Sequence, residues 1–165
     1  MPKVNYQFEY DVLDDVSLLS LHDRQLVEEC RKAAHAAYAA YSGFKVGAAA
    51  RLQNGVILTG TNQENASYPV GICAERALLA MAGTLHPGIP IEVLAVSYLN
   101  TRHPDSSNHP ISPCGMCRQA IQEYEDRTQS PMRLLLSGQL GQIYSFARAG
   151  YLLPFAFSGS EFKNK

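Results

Sequence analysis

No stretch of the 165-residue sequence comes near the roughly 20 consecutive apolar residues that span a bilayer, so no helical membrane segment is expected. Charge of one sign is missing too. Fourteen Lys and Arg stand against 15 Asp and Glu, a formal net charge of −1. Such a chain lacks the basic stripe with interleaved aromatic rings that grips a polynucleotide, and no nucleic-acid partner is expected. The opening residues, MPKVNYQFEYDVLDD, are polar and acidic and read as neither a secretory signal nor a transit peptide, which makes the cytoplasm the default compartment. There is no internal repeat and no low-complexity segment. Cysteine is scarce: Cys30, Cys73, Cys114 and Cys117 are the only four. In a chain of this length without a secretory signal, reduced thiols with a metal or catalytic role are expected rather than a disulfide framework.

What remains is globular in balance, with 46% hydrophobic and 18% charged residues. The length fits one domain that buries about two-thirds of its unfolded surface. Residues 1–20 read as an N-terminal extension to a single domain over 21–165. Leu26, Cys30, Ala33, Ala37 and Tyr41 recur at helical spacing, predicting a helix from Leu21 to Tyr41 that Ser42-Gly43 ends. KVGAAARL and VILTGT flank Gln53-Asn54-Gly55, and an Asn-Gly pair between apolar runs predicts a hairpin of strands Val46–Leu52 and Val56–Thr61. The alanines and Gly47 of the first strand imply a neighbour packed closely over it. Cys73 to Ala82 reads as a helix stopped by Gly83, IEVLAVSYL as a strand buried on both faces, and Pro113 to Tyr124 as a second short helix. MRLLLSG and QIYSFA complete a set of five strands. This order fits an α/β sandwich with helices on both faces of one sheet.

Two segments carry chemistry, VGICAERALL (Val70 to Leu79) and SPCGMCRQ (Ser112 to Gln119). A Cys-x-x-Cys alone is ambiguous between metal and redox roles. Both clusters, however, sit where a helix is predicted to start, and the dipole and free N–H groups of a helix N-terminus favour thiolate. Two such ends meeting would bring three thiolates, Cys73, Cys114 and Cys117, around a soft cation. Three protein ligands leave a tetrahedron one short, the mark of a catalytic zinc rather than a structural one. In a first helical turn side chains lean back toward the N-terminus, so Glu75 can stand beside the metal without binding it and carry protons. Zinc with three thiolates is net negative, which makes Arg76 and Arg118 candidates to hydrogen-bond the sulfurs. The plain alternative for Arg76 is a surface arginine on a helix.

These residues match a known pattern. A Cys-x-Glu followed by Pro-Cys-x-x-Cys is the three-cysteine form of the zinc deaminase signature. YSGFKVGAAA, TNQENASYPVGICAERALL and ISPCGMCRQ resemble, in order, the three segments of the small cytidine deaminases, and the resemblance runs from Ala37 to Phe157. It implies a three-layer α/β/α sandwich with a five-stranded mixed sheet, one Zn2+ per subunit, and a homotetramer with shared active sites. It further implies hydrolysis of cytidine and 2′-deoxycytidine to the uridine forms plus ammonia, a step of pyrimidine salvage. By the same resemblance Cys73, Cys114 and Cys117 are zinc ligands and Glu75 the proton shuttle. Asn62 and Glu64 hold the sugar hydroxyls, an amide and a carboxylate suited to donate and accept. Phe44 walls the base or sugar. The Ala74 N–H meets the pyrimidine carbonyl oxygen, and the Ser112 carbonyl meets the departing amine. Tyr68 lies at the entrance, and Phe157, in YLLPFAF, reaches a neighbouring subunit's pocket, with Phe155 as the other candidate.

The match has gaps. Residues 1–20 have no clear counterpart in the compact members; they could add an edge strand, cover a subunit interface or form a loose arm. The connectors over 84–90 and 99–111 are longer than usual, and the second leads into Ser112, so it could reshape the pocket rim. His103 and His109 find no ligand vacancy, His22 and His35 read as packing or surface residues, and Cys30 as an apolar filler. Two other deaminase substrates stay open, a modified cytosine nucleoside and a nucleoside antibiotic. Outside that class, a thiol oxidoreductase using Cys114 and Cys117 would leave Cys73 and Glu75 unexplained. A zinc-stabilised module would need a fourth ligand.

Overall fold

The computed structural model describes residues 1–162, so residues 163–165 of the expected domain lie outside it. One mixed sheet organises the chain. Its strands are β1 (Asp11–Leu13), β2 (Phe44–Leu52), β3 (Ile57–Thr61), β4 (Ile91–Asn100), β5 (Arg133–Ser137) and β6 (Ile143–Phe146), in the spatial order β1-β6-β5-β4-β2-β3. Only β4 and β5 are parallel; every other pairing is antiparallel. The Asn-Gly hairpin forms where the sequence places it, with Gly55 at φ 85° and its N–H donating to Leu52 O at 2.9 Å.

Helix α1 (Leu21–His35) covers one face, and α2 (Ala74–Leu85) with α3 (Gly115–Thr128) covers the other. Because side chains alternate along a strand, Ala49, Val93, Ala95 and Leu135 pack with Leu26, Val27 and Cys30, while Ala48, Ala50, Leu94 and Val96 pack with Leu78, Ala82 and Ile121. The result is the expected α/β/α sandwich. Gly47 explains itself: a Cβ there would lie 2.2 Å from the Cys30 carbonyl oxygen, so α1 rests directly on the β2 backbone.

Three expectations need correction. The sheet has six strands, not five, because Asp11–Leu13 of the N-terminal extension pairs antiparallel with β6. Upstream of it the arm is also tied down: Phe8 lies 6.1 Å from Tyr151 and 6.2 Å from Phe146, and Tyr10 lies 5.1 Å from Phe146 and 5.3 Å from Tyr144, ring to ring. Deleting residues 1–13 is therefore expected to cost about 3 kcal/mol of stability from those ring pairs and to bare the β6 edge. Urea unfolding measures it; an unchanged midpoint would show the arm to be ornamental.

Helix α1 ends at His35, six residues before Tyr41. No local breaker stops it. The backbone of Tyr38 is instead taken by a neighbouring segment, with Tyr38 N–H donating to Asn62 O (3.2 Å) and Glu64 N–H donating to Tyr38 O (2.9 Å). Helix α2, conversely, runs past Gly83 to Leu85. Gly83 is not a stop but a place of close approach, since a Cβ there would lie 2.8 Å from the Arg127 guanidinium of α3.

Candidate active site

Sheet order decides where the two cysteine segments go. Strands β3 and β4 are each antiparallel to β2, so they point the same way and their carboxyl ends share one edge of the sheet. Helix α2 follows β3 and α3 follows β4, on the same face. Both helices thus begin at that edge, the usual place for a ligand crevice in an α/β sheet. Cys73 is the N-cap of α2, Cys114 the N-cap of α3, and Cys117 lies one turn further in.

The three sulfurs converge. Cys73 Sγ lies 3.8 Å from Cys114 Sγ, Cys114 Sγ lies 3.5 Å from Cys117 Sγ, and all three are within 4.8 Å of one another. Metal–sulfur bonds of about 2.3 Å at tetrahedral angles separate sulfurs by about 3.8 Å, so the spacing fits a zinc-sized soft cation. Among the described residues no other Cys, His, Asp or Glu joins the group. The surroundings of the three sulfurs set how readily each thiol ionises. Burial, followed by the Glu75 carboxyl and the Cys73 sulfur, pushes the Cys117 thiol well up, and burial likewise raises Cys73. Burial works against Cys114 as well, but helix-start N–H groups and the neighbouring thiols hold it below its ordinary value. Ionising all three thiols together would call for a cation among them.

The sulfurs face a cavity of about 320 Å³, within the ordinary range for a small ligand. Glu75, the second residue of α2, is 4% exposed and lines it; burial raises its carboxyl above the usual range against the pull of its own backbone N–H. Ala74 is the first residue of α2, where a backbone N–H has no intrahelical acceptor. Phe44, Asn62, Glu64, Tyr68 and Ser112 all line the same cavity, with Tyr68 81% exposed.

Asn62 and Glu64 are already half-engaged. Asn62 Oδ1 accepts from Val46 N–H (2.7 Å) and its Nδ2 donates to Phe44 O (3.0 Å), which prolongs the β2 ladder with a side chain. Glu64 Oε2 accepts the N–H groups of Tyr41 (2.7 Å) and Ser42 (3.2 Å), and bonding from Ser42 foremost holds the carboxyl below its ordinary range. An amide keeps a second N–H and lone pair, and the carboxylate its other oxygen, for a ligand.

The arginines go elsewhere than the sulfurs. Arg118 Nε donates to Pro113 O (2.8 Å) and its Nη1 to Leu152 O (3.0 Å), clamping the chain before Cys114 to the C-terminal segment. Arg76 Nη1 lies 4.0 Å from Met116 Sδ, beside the first turn of α3 between its two cysteines. Phe157 is outside the cavity: its carbonyl accepts from Gln119 Nε2 (2.8 Å) and its ring meets Phe162 edge-on at 5.5 Å. Phe155 is 99% exposed and held at φ 57°, a left-handed conformation that is rare for a bulky residue. Sequence reasoning missed Ile72 and Ile111 as cavity walls, and Tyr41, read there only as the end of a helix, also lines the cavity. Their one signal was adjacency to a motif.

Three sulfurs from two helix starts, beside a buried carboxyl able to hold a proton, are a donor set of the kind that metal-dependent hydrolytic enzymes use. Within that class the comparisons agree. The family described as "Cytidine and deoxycytidylate deaminase zinc-binding region" matches residues 21–130. A cytidine deaminase of Halalkalibacterium halodurans is 33% identical over 140 residues, covering 84% of this chain and 97% of that protein. One from Sporosarcina psychrophila is 37% identical over 135 residues, covering 81% and 90%. The crystal structure of the Burkholderia pseudomallei cytidine deaminase superposes with a TM-score of 0.69 at 36% identity, covering 84% of this chain and all of that one. The chain belongs to the cytidine deaminase family.

Proposed function

We propose that the protein hydrolyses cytidine and 2′-deoxycytidine to uridine and 2′-deoxyuridine with release of ammonia, using one zinc ion per subunit, in pyrimidine salvage in the cytoplasm. The observation that carries this reading is the meeting of three thiols from two helix starts with an uncoordinated carboxyl, Glu75, in one small cavity. Cys73, Cys114 and Cys117 would hold the zinc, which as a Lewis acid supplies acidified water at neutral pH.

This chain's residues do the rest. As the water oxygen bonds to the ring carbon, Glu75 takes one proton from it and gives it to the adjacent ring nitrogen; it then takes the proton of the new hydroxyl and delivers it to the amine as the C–N bond breaks and the carbonyl forms. Its buried carboxyl suits both directions of transfer, because a raised pKa brings it nearer to neutral pH. The Ala74 N–H donates a hydrogen bond to the pyrimidine carbonyl oxygen, and the Ser112 carbonyl accepts a hydrogen bond from the leaving amine. The unspent capacity of Asn62 and Glu64 meets the sugar hydroxyls, Phe44 walls the ring, and Tyr68 stands at the entrance.

Arg76 carries positive charge beside the cysteine-bearing first turn of α3 through its contact with Met116. Neutralising it (Arg76→Gln) is expected to weaken zinc retention by about tenfold, measured by competition with a chelator; equal retention would remove that role. Assembly as a homotetramer with shared sites is supported by the exposed rings of Phe155, Phe157 and Tyr68 and the exposed Val70 and Met116, apolar surface that a second copy would bury. The deciding experiment measures zinc stoichiometry and loss of cytidine absorbance in one preparation. Stoichiometric zinc with turnover supports the reading; metal-free protein that turns over nothing and carries a redox-active dithiol would overturn it.

A further inference from the structure

The connector between β4 and α3 looks loose, since residues 101–106 are all exposed. Its second half is nevertheless bolted to the sheet. Ser107 is 1% exposed; its Oγ accepts from Asn100 N–H (2.9 Å) and its carbonyl from Gln139 N–H (2.6 Å). At the centre of the attachment is Tyr98, near the end of β4 and 1% exposed. Its hydroxyl donates to the Ser106 carbonyl, and both ring nitrogens of His109 lie 3.2 Å from the same oxygen, with the two rings edge to face at 5.7 Å and 70°. Gln139 Nε2 donates to the Tyr98 carbonyl at 2.8 Å.

The ring of Tyr98 has a second task. It stacks on Phe44 at 4.9 Å and 22°, a diagonal cross-strand pair set by the Val46–Tyr98 register. Phe44 is a wall of the cavity, and so are Ile111 and Ser112, which follow His109 by two and three residues. One buried side chain therefore touches the back of one wall and the root of another. A phenylalanine would fill the same space and make the same stack. The hydroxyl is needed only for the connector, and a hydroxyl this deeply buried is costly unless partnered.

We propose that Tyr98 is a positioning residue that sets the shape of the nucleoside cavity, joining the Phe44 wall to the Ile111–Ser112 wall through its stacked ring and its hydroxyl's hold on residues 106–109. The nucleoside as occupant rests on the deamination reading above; the coupling of the two walls does not. Tyr98→Phe, in the zinc-loaded full chain, keeps the stack and frees the connector. Amide exchange over 101–112, measured without substrate, is expected to quicken about tenfold while exchange in the sheet stays unchanged. KM for cytidine is expected to rise about tenfold with kcat little altered and zinc content intact, because ground-state and transition-state binding are lost together. His109→Ala, at an exposed position, should move both quantities in the same direction and serves alone if the first variant does not fold. Loss of thermal stability with unchanged KM and unchanged exchange in 101–112 would make Tyr98 merely structural and overturn the proposal. A wild-type protein that does not deaminate cytidine would refute the deamination reading instead, and the exchange measurement would still decide the coupling.

Discussion

Replacing Glu75 by alanine is expected to slow turnover of cytidine by about 10⁴-fold, the upper range for a positioned acid–base group, with zinc still bound. The separation of the two effects comes from geometry. Glu75 lies two residues after Cys73 yet contributes no oxygen to the three-sulfur cluster, so removing it leaves the ligand set whole. Its side chain is 4% exposed and in the cavity, where it can reach water and ring alike. Glu75→Gln should behave similarly, since the amide keeps the size but cannot take the proton. Burial raises the carboxyl pKa, so the free enzyme loses its base as pH falls through a value above the ordinary glutamate range of about 4.3, and the acidic limb of kcat/KM should lie correspondingly high. Near-normal turnover in either variant, or loss of zinc along with turnover, would remove Glu75 from the proton path.

Cys114→Ala is expected to abolish zinc binding and turnover together. Two remaining sulfurs leave the cluster incomplete, and among the described residues no other Cys, His, Asp or Glu belongs to it. Chelation of the native protein offers an independent test. With zinc removed, Cys114, exposed and held below its ordinary range, should react quickly with a thiol reagent while the buried Cys30 stays slow. Cys30 is fully buried, its Sγ donates to Gly47 O at 3.1 Å and Ala95 O at 3.4 Å, and burial pushes its thiol far above the usual range. The melting temperature should fall as well, because a ligand bound only to the folded chain stabilises it. Stoichiometric zinc in the Cys114→Ala protein would show that the metal sits elsewhere. A redox protein would behave differently, with Cys73 dispensable and the other two oxidised as a pair.

Much of this site could be read along the chain because its chemistry is packed into short segments. Cys73, Ala74 and Glu75 are consecutive, and Cys114 and Cys117 are one helical turn apart, so local rules for helix starts already bring the thiols and the Glu75 carboxyl to neighbouring positions. The Asn54-Gly55 turn was legible for the same reason: its conformation is decided by the two residues themselves. Arg118 and Asn62 were less legible. An arginine next to a cysteine ligand looks like a partner for sulfur, but the carbonyls of Pro113 and Leu152 lie nearer its fork. Asn62 looks free in a loop, and only the proximity of the β2 backbone commits its amide.

From composition, periodicity and motif order alone follow the layer architecture, the identity of the three sulfurs and one carboxyl, and the resemblance to deaminases. These depend on contacts within a few residues or on patterns that repeat every two or three to four. The tertiary structure alone decided that α1 stops at His35, that an N-terminal strand completes the sheet at β6, that Gly83 is an approach point for Arg127, and that Tyr98 stands behind Phe44. In each case the partner lies far away in the chain, and a residue's local preference of a few tenths of a kcal/mol up to about 1 is overruled by a backbone hydrogen bond or a packed ring that exists only once the sheet has formed.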